Sequence, residues 1–299
     1  MPTTADVLAV GLVGAGPWAR AMHAPTLAAG PETALTAVWA RRADAAAALA
    51  HEHGAQAAAS FDELLDRCDA VAFAVPPDVQ DGLAIRAARA GKALLLEKPV
   101  APTLDRARAV AEAVRATGVV SQLVLTKRYH PRTREFLARA ADFQTVGARS
   151  CYLHGGFLGG DQASPWRLAE HGVLLDLGPH LLDLLDAAVG RVDTVRASGD
   201  PTRWVELTCA HAGGATSQAS LSGSVALPRP STVVELFGPA GSLRYDTAGI
   251  EHAECWPVLR AEFAAAVRSG QAPLLDVWRG VRIQELLDQA IGSPGRPTG

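Results

Sequence analysis

Over the first 120 residues, short unbroken apolar runs alternate with alanine-rich stretches of helical character. The runs are Val7–Val13, Leu35–Ala40, Ala70–Val75, Ala93–Leu96 and Val119–Leu125, with segments such as Arg42–His51 and Leu83–Ala90 between them. Strand-length runs that do not alternate with polar residues predict a sheet covered on both faces. Regular strand–helix–strand repetition predicts right-handed crossovers and a doubly wound parallel sheet. After Leu125 the pattern changes. One helix is predicted at Pro131–Ala141, followed by strands at Thr145–His154, Val192–Ala197, Trp204–His211, Ala215–Ser222, Thr232–Gly238 and Ser242–Tyr245. Ala212-Gly213-Gly214 reads as a hairpin turn. An apolar helix, His180–Val189, interrupts this series, and helices at Val258–Ser269 and Val277–Ile291 close it. The expected architecture is α/β: a doubly wound parallel sheet in residues 1–122, then an α+β domain in 123–299 with an open, mostly antiparallel sheet. Residues 292–299 read as a loose tail, and no internal repeat is present.

The length of 299 residues suits two domains at about 150 residues each. Hydrophobic residues make up 48% and charged residues 20%, a composition that excludes a disordered chain. The net charge of −3 leaves no basic field for a phosphate backbone, so nucleic acid is not an expected partner. The four cysteines, Cys68, Cys151, Cys209 and Cys255, are widely spaced and form no CxxC pair, which argues against a disulfide framework or a zinc site; they read as ordinary half-buried thiols. No positively charged leader precedes the first apolar run, and no run reaches the ~18 apolar residues of a membrane span. A cytoplasmic chain without a membrane partner is the expectation.

Candidate chemistry sits at the carboxyl ends of the predicted parallel strands, where such sheets bind ligands. Gly14-Ala15-Gly16-Pro17-Trp18-Ala19 follows the first strand and opens a helix. A G-x-G-x-x-A turn reverses tightly, admits a pyrophosphate to the backbone and offers it helix N–H groups; its place after strand one and before a helix favours this reading over a plain glycine turn. After the second strand, Ala40 occupies the place where an acidic residue would bind the ribose hydroxyls of NAD. Arg41 and Arg42 follow, suited to a 2′-phosphate or, alternatively, to a solvated helix start. Pro76 and Pro77 follow the Ala70–Val75 run. Glu97-Lys98-Pro99 ends the fourth run; Lys98 is either a donor that stabilises a developing alkoxide or a surface lysine paired with Glu97. Pro179 suits the first turn of a helix, which would put His180 at the positive end of the dipole and favour a neutral, proton-accepting imidazole; a hydrogen-bonded core histidine is the alternative. Asp176, His180 and Asp183 recur at intervals of four and three. A metal site is not expected from them, because the helix is expected to stop short of Gly178.

Together these elements resemble the Gfo/Idh/MocA oxidoreductases nearly end to end. The resemblance is carried by Gly14–Ala19, His23-Ala24-Pro25, Ser60-Phe61-Asp62-Glu63-Leu64-Leu65, Pro76-Pro77-Asp78, Ala90-Gly91-Lys92, Glu97-Lys98-Pro99, Arg128-Tyr129-His130-Pro131, Asp176-Leu177-Gly178-Pro179-His180 and Phe237-Gly238-Pro239-Ala240-Gly241. It implies a Rossmann domain followed by an open-sheet domain, with homodimers or homotetramers formed through that sheet. It also implies NAD(P)-dependent hydride transfer at a secondary alcohol or ketone of a sugar or cyclitol. Lys98, Asp176 and His180 match the catalytic positions: His180 takes the hydroxyl proton, Lys98 polarises the hydroxyl, and Asp176 orients substrate or His180. The cofactor would meet Gly14, Gly16, Pro17, Trp18, Ala19, Arg41, Arg42, Pro76, Pro77, Glu97 and Lys98, with NADP preferred over NAD. Arg128, Tyr129, His154, Trp166, Arg167 and His171 are candidate substrate contacts beside Lys98, Asp176 and His180. Two departures stand out: Glu170-His171-Gly172 replaces an expected glycine-rich run, which makes His171 either a further site group or a loop histidine, and Ala40-Arg41 replaces the acidic position. Alternatives on the same fold are a reductase of another carbonyl or imine, and a non-catalytic dinucleotide-binding regulator.

Overall fold

The computed structural model describes residues 7–160, 163–248 and 250–292, so the tail expected after 292 lies outside the described residues. The chain forms two compact units. One comprises residues 1–126 with 252–281, and the other 127–251 with 282–299.

The first unit is built on six parallel strands in the order β3-β2-β1-β4-β5-β6: β1 (Leu8–Val13), β2 (Thr33–Trp39), β3 (Gln56–Ala57), β4 (Ala70–Phe73), β5 (Ala93–Leu96) and β6 (Ser121–Leu123). This is the doubly wound order, with the reversal between β1 and β4. Every residue of β4 and β5 is buried, the signature of a sheet covered on both faces. The crossovers run through α1 (Ala24–Ala28), α2 (Ala43–Glu52), α3 (Phe61–Asp66), α4 (Pro77–Arg89) and α5 (Leu104–Thr117). Local signals set several helix ends. The Ser60 and Thr103 hydroxyls cap α3 and α5, and Gly118 ends α5 in the left-handed region. The two-residue β3 went unread because Gln56 and Ala57 are exposed and carry no apolar run.

The division expected at 122/123 assigns everything after it to one domain, whereas α8 (His252–Ser269) packs with the first unit. Gln122 Nε2 donates to the Leu259 carbonyl at 2.9 Å, and Arg260 Nε donates to Glu32 at 2.8 Å. Trp256, Leu259 and Phe263 are buried there. Long-range side-chain contacts of this kind leave no trace in hydrophobic periodicity.

The second unit holds α6 (Pro131–Ala141), α7 (Gly172–Ala188) and a six-stranded sheet ordered β12-β11-β7-β10-β9-β8. Its strands are β7 (Gly147–Leu153), β8 (Val192–Asp200), β9 (Trp204–His211), β10 (Thr216–Ser222), β11 (Ser231–Gly238) and β12 (Gly241–Asp246). All pairs are antiparallel except β7 with β10. The β9–β10 hairpin turns through Ala212-Gly213-Gly214 as expected, with Gly214 at φ +87°. Side chains alternate along the strands. Val205, Leu207, Cys209, Ala219, Leu221, Val234 and Leu236 are buried, while Trp204, Thr208, Ala210, Thr216 and Gln218 are exposed. One face of the sheet is therefore packed and the other open.

Helix α7 corrects the sequence reading. It starts two turns earlier than expected and runs through Gly178 and Pro179, so Pro179 is interior and His180 is not at a positive helix end. The dipole argument for a neutral His180 falls with it. An interior proline costs ~3 kcal/mol in an isolated helix. Here burial outweighs it: Val173, Leu174, Leu177, Leu181, Leu182, Leu184 and Leu185 are all buried, at roughly 1.5–3 kcal/mol each. Gly178 is a packing residue, since a Cβ on it would stand 2.8 Å from Leu287 of α9 (Val277–Ile291).

Three of the four thiols are buried rather than half-buried, and only Cys151 on β7 is partly exposed. Burial pushes Cys68 and Cys209 up to about 11. Because the raised pKa favours the thiol, both stay unreactive until the pH approaches that value. Iodoacetamide at about pH 8 is expected to modify Cys151 in the folded protein and the other three only after unfolding. Mass mapping that finds Cys68 or Cys209 labelled as fast as Cys151 would contradict this packing.

Candidate active site

In the first unit, the chain leaves β1 through Gly14-Ala15-Gly16 into a helical stretch at 17–28 whose middle, Ala19–His23, is a π turn. Gly14 has φ +114°, and a Cβ there would lie 2.4 Å from the Ala74 carbonyl oxygen, so only glycine fits. Gly16 is different: nothing lies within 4 Å of a Cβ built on it. That opening lies next to the strand-order reversal and leaves room for a phosphate to reach the backbone, which is what a dinucleotide requires of these residues. Pro17 and Trp18 start the helical stretch, and Ala19 is fully buried beneath it. Past β2, Arg41 and Arg42 are exposed, and among the described residues neither side chain makes a hydrogen bond or ion pair. Pro76 caps α4 and Pro77 is its first residue, at the carboxyl end of β4.

The Glu97-Lys98-Pro99 turn, at the carboxyl end of β5, is gripped from two sides. Gln80 of α4, fully buried, shares its Nε2 donors among the carbonyls of Glu97 (2.8 Å), Val100 (3.0 Å) and Pro99 (3.3 Å), and its Oε1 accepts the Glu97 N–H at 2.8 Å. The Glu97 carboxylate accepts Trp18 Nε1–H at 2.7 Å and lies 2.8 Å from His23 Nε2. His23 packs edge-on against Trp256, ring centroids 4.8 Å apart. The Lys98–Pro99 peptide is cis. Gln80 and His23 were not read as site residues; their one signal was position, on the helices flanking the strand-order reversal.

In the second unit, α7 presents Asp176, His180 and Asp183 along one face, one helical turn apart. Each has its own neighbour. Arg167 Nε donates to Asp176 Oδ2 at 3.1 Å, and Arg167 itself lies over the Trp166 ring at 4.9 Å. His180 meets the edge of Tyr152, centroids 5.8 Å apart. Arg128 donates to both oxygens of Asp183 at 2.9 Å. Tyr152, on β7, also lies beside His154 (5.5 Å), and the Lys127 ammonium stands 3.9 Å above its ring centroid. His154 Nδ1 accepts the Gly156 N–H at 2.9 Å, which requires that nitrogen to be unprotonated. Burial, reinforced by the charge of Asp176 and partly opposed by Arg167, pushes the Tyr152 phenol far above its ordinary value. It therefore stays a protonated O–H donor.

The structure thus gathers His154, Arg167, Asp176 and His180 around Tyr152, with Trp166 under the Arg167 guanidinium. Arg128, half-buried, is turned into Asp183, and Tyr129 is 1% exposed. His171 is half-buried at the start of α7, beside Gly172, where a Cβ would run into the Arg167 backbone. Tyr152 and Lys127 went unread. Tyr152 was accessible through His154, which it accompanies at two-residue spacing on one strand face. The helix does reach back through Gly178, against the expectation on which the metal reading was set aside. Even so, Asp176 and Asp183 turn to arginines, and among the described residues no three His, Cys, Asp or Glu side chains are placed to hold an ion.

Two family profiles match the chain: an oxidoreductase family with an NAD-binding Rossmann fold over residues 8–124, and the GFO/IDH/MocA C-terminal domain over 146–244. A dTDP-3,4-didehydro-2,6-dideoxy-α-D-glucose 3-reductase from Streptomyces violaceoruber is 30% identical over 284 residues, 87% of this chain and 78% of that enzyme. Levoglucosan dehydrogenase from Pseudarthrobacter phenanthrenivorans is 26% identical over 160 residues, 51% of this chain and only 40% of that enzyme's length. Among solved structures, GenD2 from gentamicin A biosynthesis in complex with NAD shares the fold with a TM-score of 0.87 at 23% identity, covering 98% of this chain and 95% of that one.

The two glycines separate folding from ligand binding. Gly14→Ala is expected to lower stability by about 1–3 kcal/mol, through a positive φ and a backbone clash. Gly16→Ala is expected to leave the melting temperature within about 2 °C, given the open space around it, while weakening dinucleotide binding at least about tenfold. Thermal unfolding with and without NADH, on both variants, checks this; unchanged NADH binding by Gly16→Ala would contradict the assignment.

Proposed function

The chain belongs to the Gfo/Idh/MocA oxidoreductase family, and from that premise we propose that it is a nicotinamide-dependent dehydrogenase or reductase acting on a secondary alcohol or ketone of a sugar, cyclitol or similar polyol. The observation that carries the reading is the row on α7. Asp176 and His180 stand one turn apart and nine-tenths buried, the first tethered by Arg167 and the second flanked by Tyr152.

Bound nicotinamide supplies the hydride acceptor or donor. In alcohol oxidation His180 takes the hydroxyl proton as the C–H bond breaks, and in the reverse reduction it returns that proton. Lys98 polarises the same oxygen and stabilises its developing negative charge. Asp176, held by Arg167, fixes the orientation of substrate or of His180. His154, Trp166 and Arg167 supply hydrogen bonds and an aromatic face, a combination that suits a polyhydroxylated ring. His171 contributes at the edge of the site.

On the cofactor side, Gly14, Gly16, Pro17, Trp18 and Ala19 receive the pyrophosphate, while Pro76, Pro77, Glu97 and Lys98 border the nicotinamide. Arg41 and Arg42 receive a 2′-phosphate, which makes NADP the preferred form. Ala40 in place of an acidic residue and two solvent-facing guanidiniums support this preference, although GenD2 was solved with NAD. We further propose that the protein is cytoplasmic and assembles as a homodimer or homotetramer through the open face of the β7–β12 sheet. No helix among the described residues is long and apolar enough to cross a membrane.

Two measurements test the reading. Lys98→Ala is expected to lower turnover by ~100-fold or more with dinucleotide affinity nearly unchanged; turnover within about threefold of wild type would remove Lys98 from the chemistry. In thermal-shift titrations, NADPH is expected to raise the melting temperature more than NADH does, and Arg41→Ala to abolish that difference at a cost of about tenfold in NADPH affinity. A larger shift with NADH would leave Arg41 as surface charge.

A further inference from the structure

Tyr152 is nine-tenths buried, yet its hydroxyl makes no hydrogen bond among the described residues. Although the ring is buried, the oxygen itself is not sealed off, so the partner it lacks within the protein can be supplied by a ligand from outside. The neighbours here could have provided one and do not. The Asp176 carboxylate, close enough to influence the phenol, is turned to Arg167. His154 directs its Nδ1 to the Gly156 N–H. The ring, by contrast, is engaged: the Lys127 ammonium lies over its face at 3.9 Å, and the His154 and His180 rings lie 5.5 and 5.8 Å from it, centroid to centroid. A phenylalanine would satisfy all of those ring contacts, so packing alone does not explain the oxygen.

We propose that the Tyr152 hydroxyl is a catalytic-site donor to the substrate, binding an oxygen of the polyol or keto-sugar beside the carbon at which His180 exchanges its proton. The inference rests on the active-site reading given above. Its physical basis is the set of groups around the phenol. Burial disfavours the phenolate, and the charge of Asp176 adds to it, so the O–H persists at alkaline pH. The cation over the ring face withdraws electron density and strengthens that O–H as a donor. With Arg167 and Asp176 tied to each other, the hydroxyl is a neutral group in the cluster that keeps its proton to donate. A neutral donor suits an uncharged carbinol or carbonyl oxygen.

The test compares full-length wild type, Tyr152→Phe, Tyr152→Leu and His180→Asn in the reduction of NADP+ and NAD+ with levoglucosan and with scyllo-inositol, alongside melting temperature and NADPH affinity. Tyr152→Phe keeps the ring and removes one oxygen. It is expected to lose about tenfold or more in kcat/KM while melting temperature and NADPH affinity stay at wild-type values. Tyr152→Leu, which also removes the platform under Lys127 and His180, is expected to lose more and to melt lower. Wild-type kcat/KM in Tyr152→Phe, together with an inactive His180→Asn, would overturn this inference and leave the active-site reading standing. Wild-type activity in His180→Asn, or no turnover of either polyol by the wild type, would overturn the reading itself and the inference with it.

Discussion

A carboxylate buried without a counter-charge costs several kcal/mol, and α7 buries two of them. Much of the second unit is arranged around that cost. Arg128 is drawn into Asp183 and Arg167 into Asp176, so each arginine is held by the helix it serves. Arg167 in turn fixes Trp166 beneath it and brings its own backbone hard against Gly172, the first residue of the helix, where no side chain fits. Between the two ion pairs stands His180, with the Tyr152 ring beside it. The row therefore alternates a neutralised charge, a titratable imidazole and a second neutralised charge.

The first unit solves a different problem. A parallel sheet releases every strand at the same edge, and the chain beyond that edge has no ladder to hold it. At β5 the turn carrying Lys98 is secured by one glutamine, whose amide both donates and accepts, and by one carboxylate held by an indole and an imidazole. These contacts keep Glu97 occupied within the protein and leave Lys98, the next residue, as the cation of that turn.

The parallel sheet was legible because full burial of β4 and β5, and of all but one residue of β1, writes an unbroken apolar run, and the strands of the second sheet were legible because half-burial writes alternation. Pairing order was legible only where a crossover or a two-residue turn dictates it; the parallel β7–β10 pair joins segments far apart in the chain and has no local signature. The start of α7 was hidden by Gly178 and Pro179, which in isolation break a helix and here are tolerated because Leu287 needs the space and the leucines supply the burial. In the site, charged and turn-forming residues stood out by type, hence Lys98, Asp176, His180 and Arg167. Gln80, Tyr152 and Lys127 did not, since their significance lies in what the fold sets beside them. Arg128, which also stood out by type, is paired with Asp183.

One further consequence concerns the order in which the protein is made. The parallel sheet emerges first from the ribosome, but Trp256, which packs against His23, and Arg260, which binds Glu32, follow only after the whole of the second sheet. Until then the first unit lacks α8, and Trp18, His23 and the Glu97 turn lack part of their cover. The dinucleotide-binding unit is thus among the first structures begun and among the last completed, and the affinity of the nascent chain for its cofactor should mature late, when the C-terminal helices return to it.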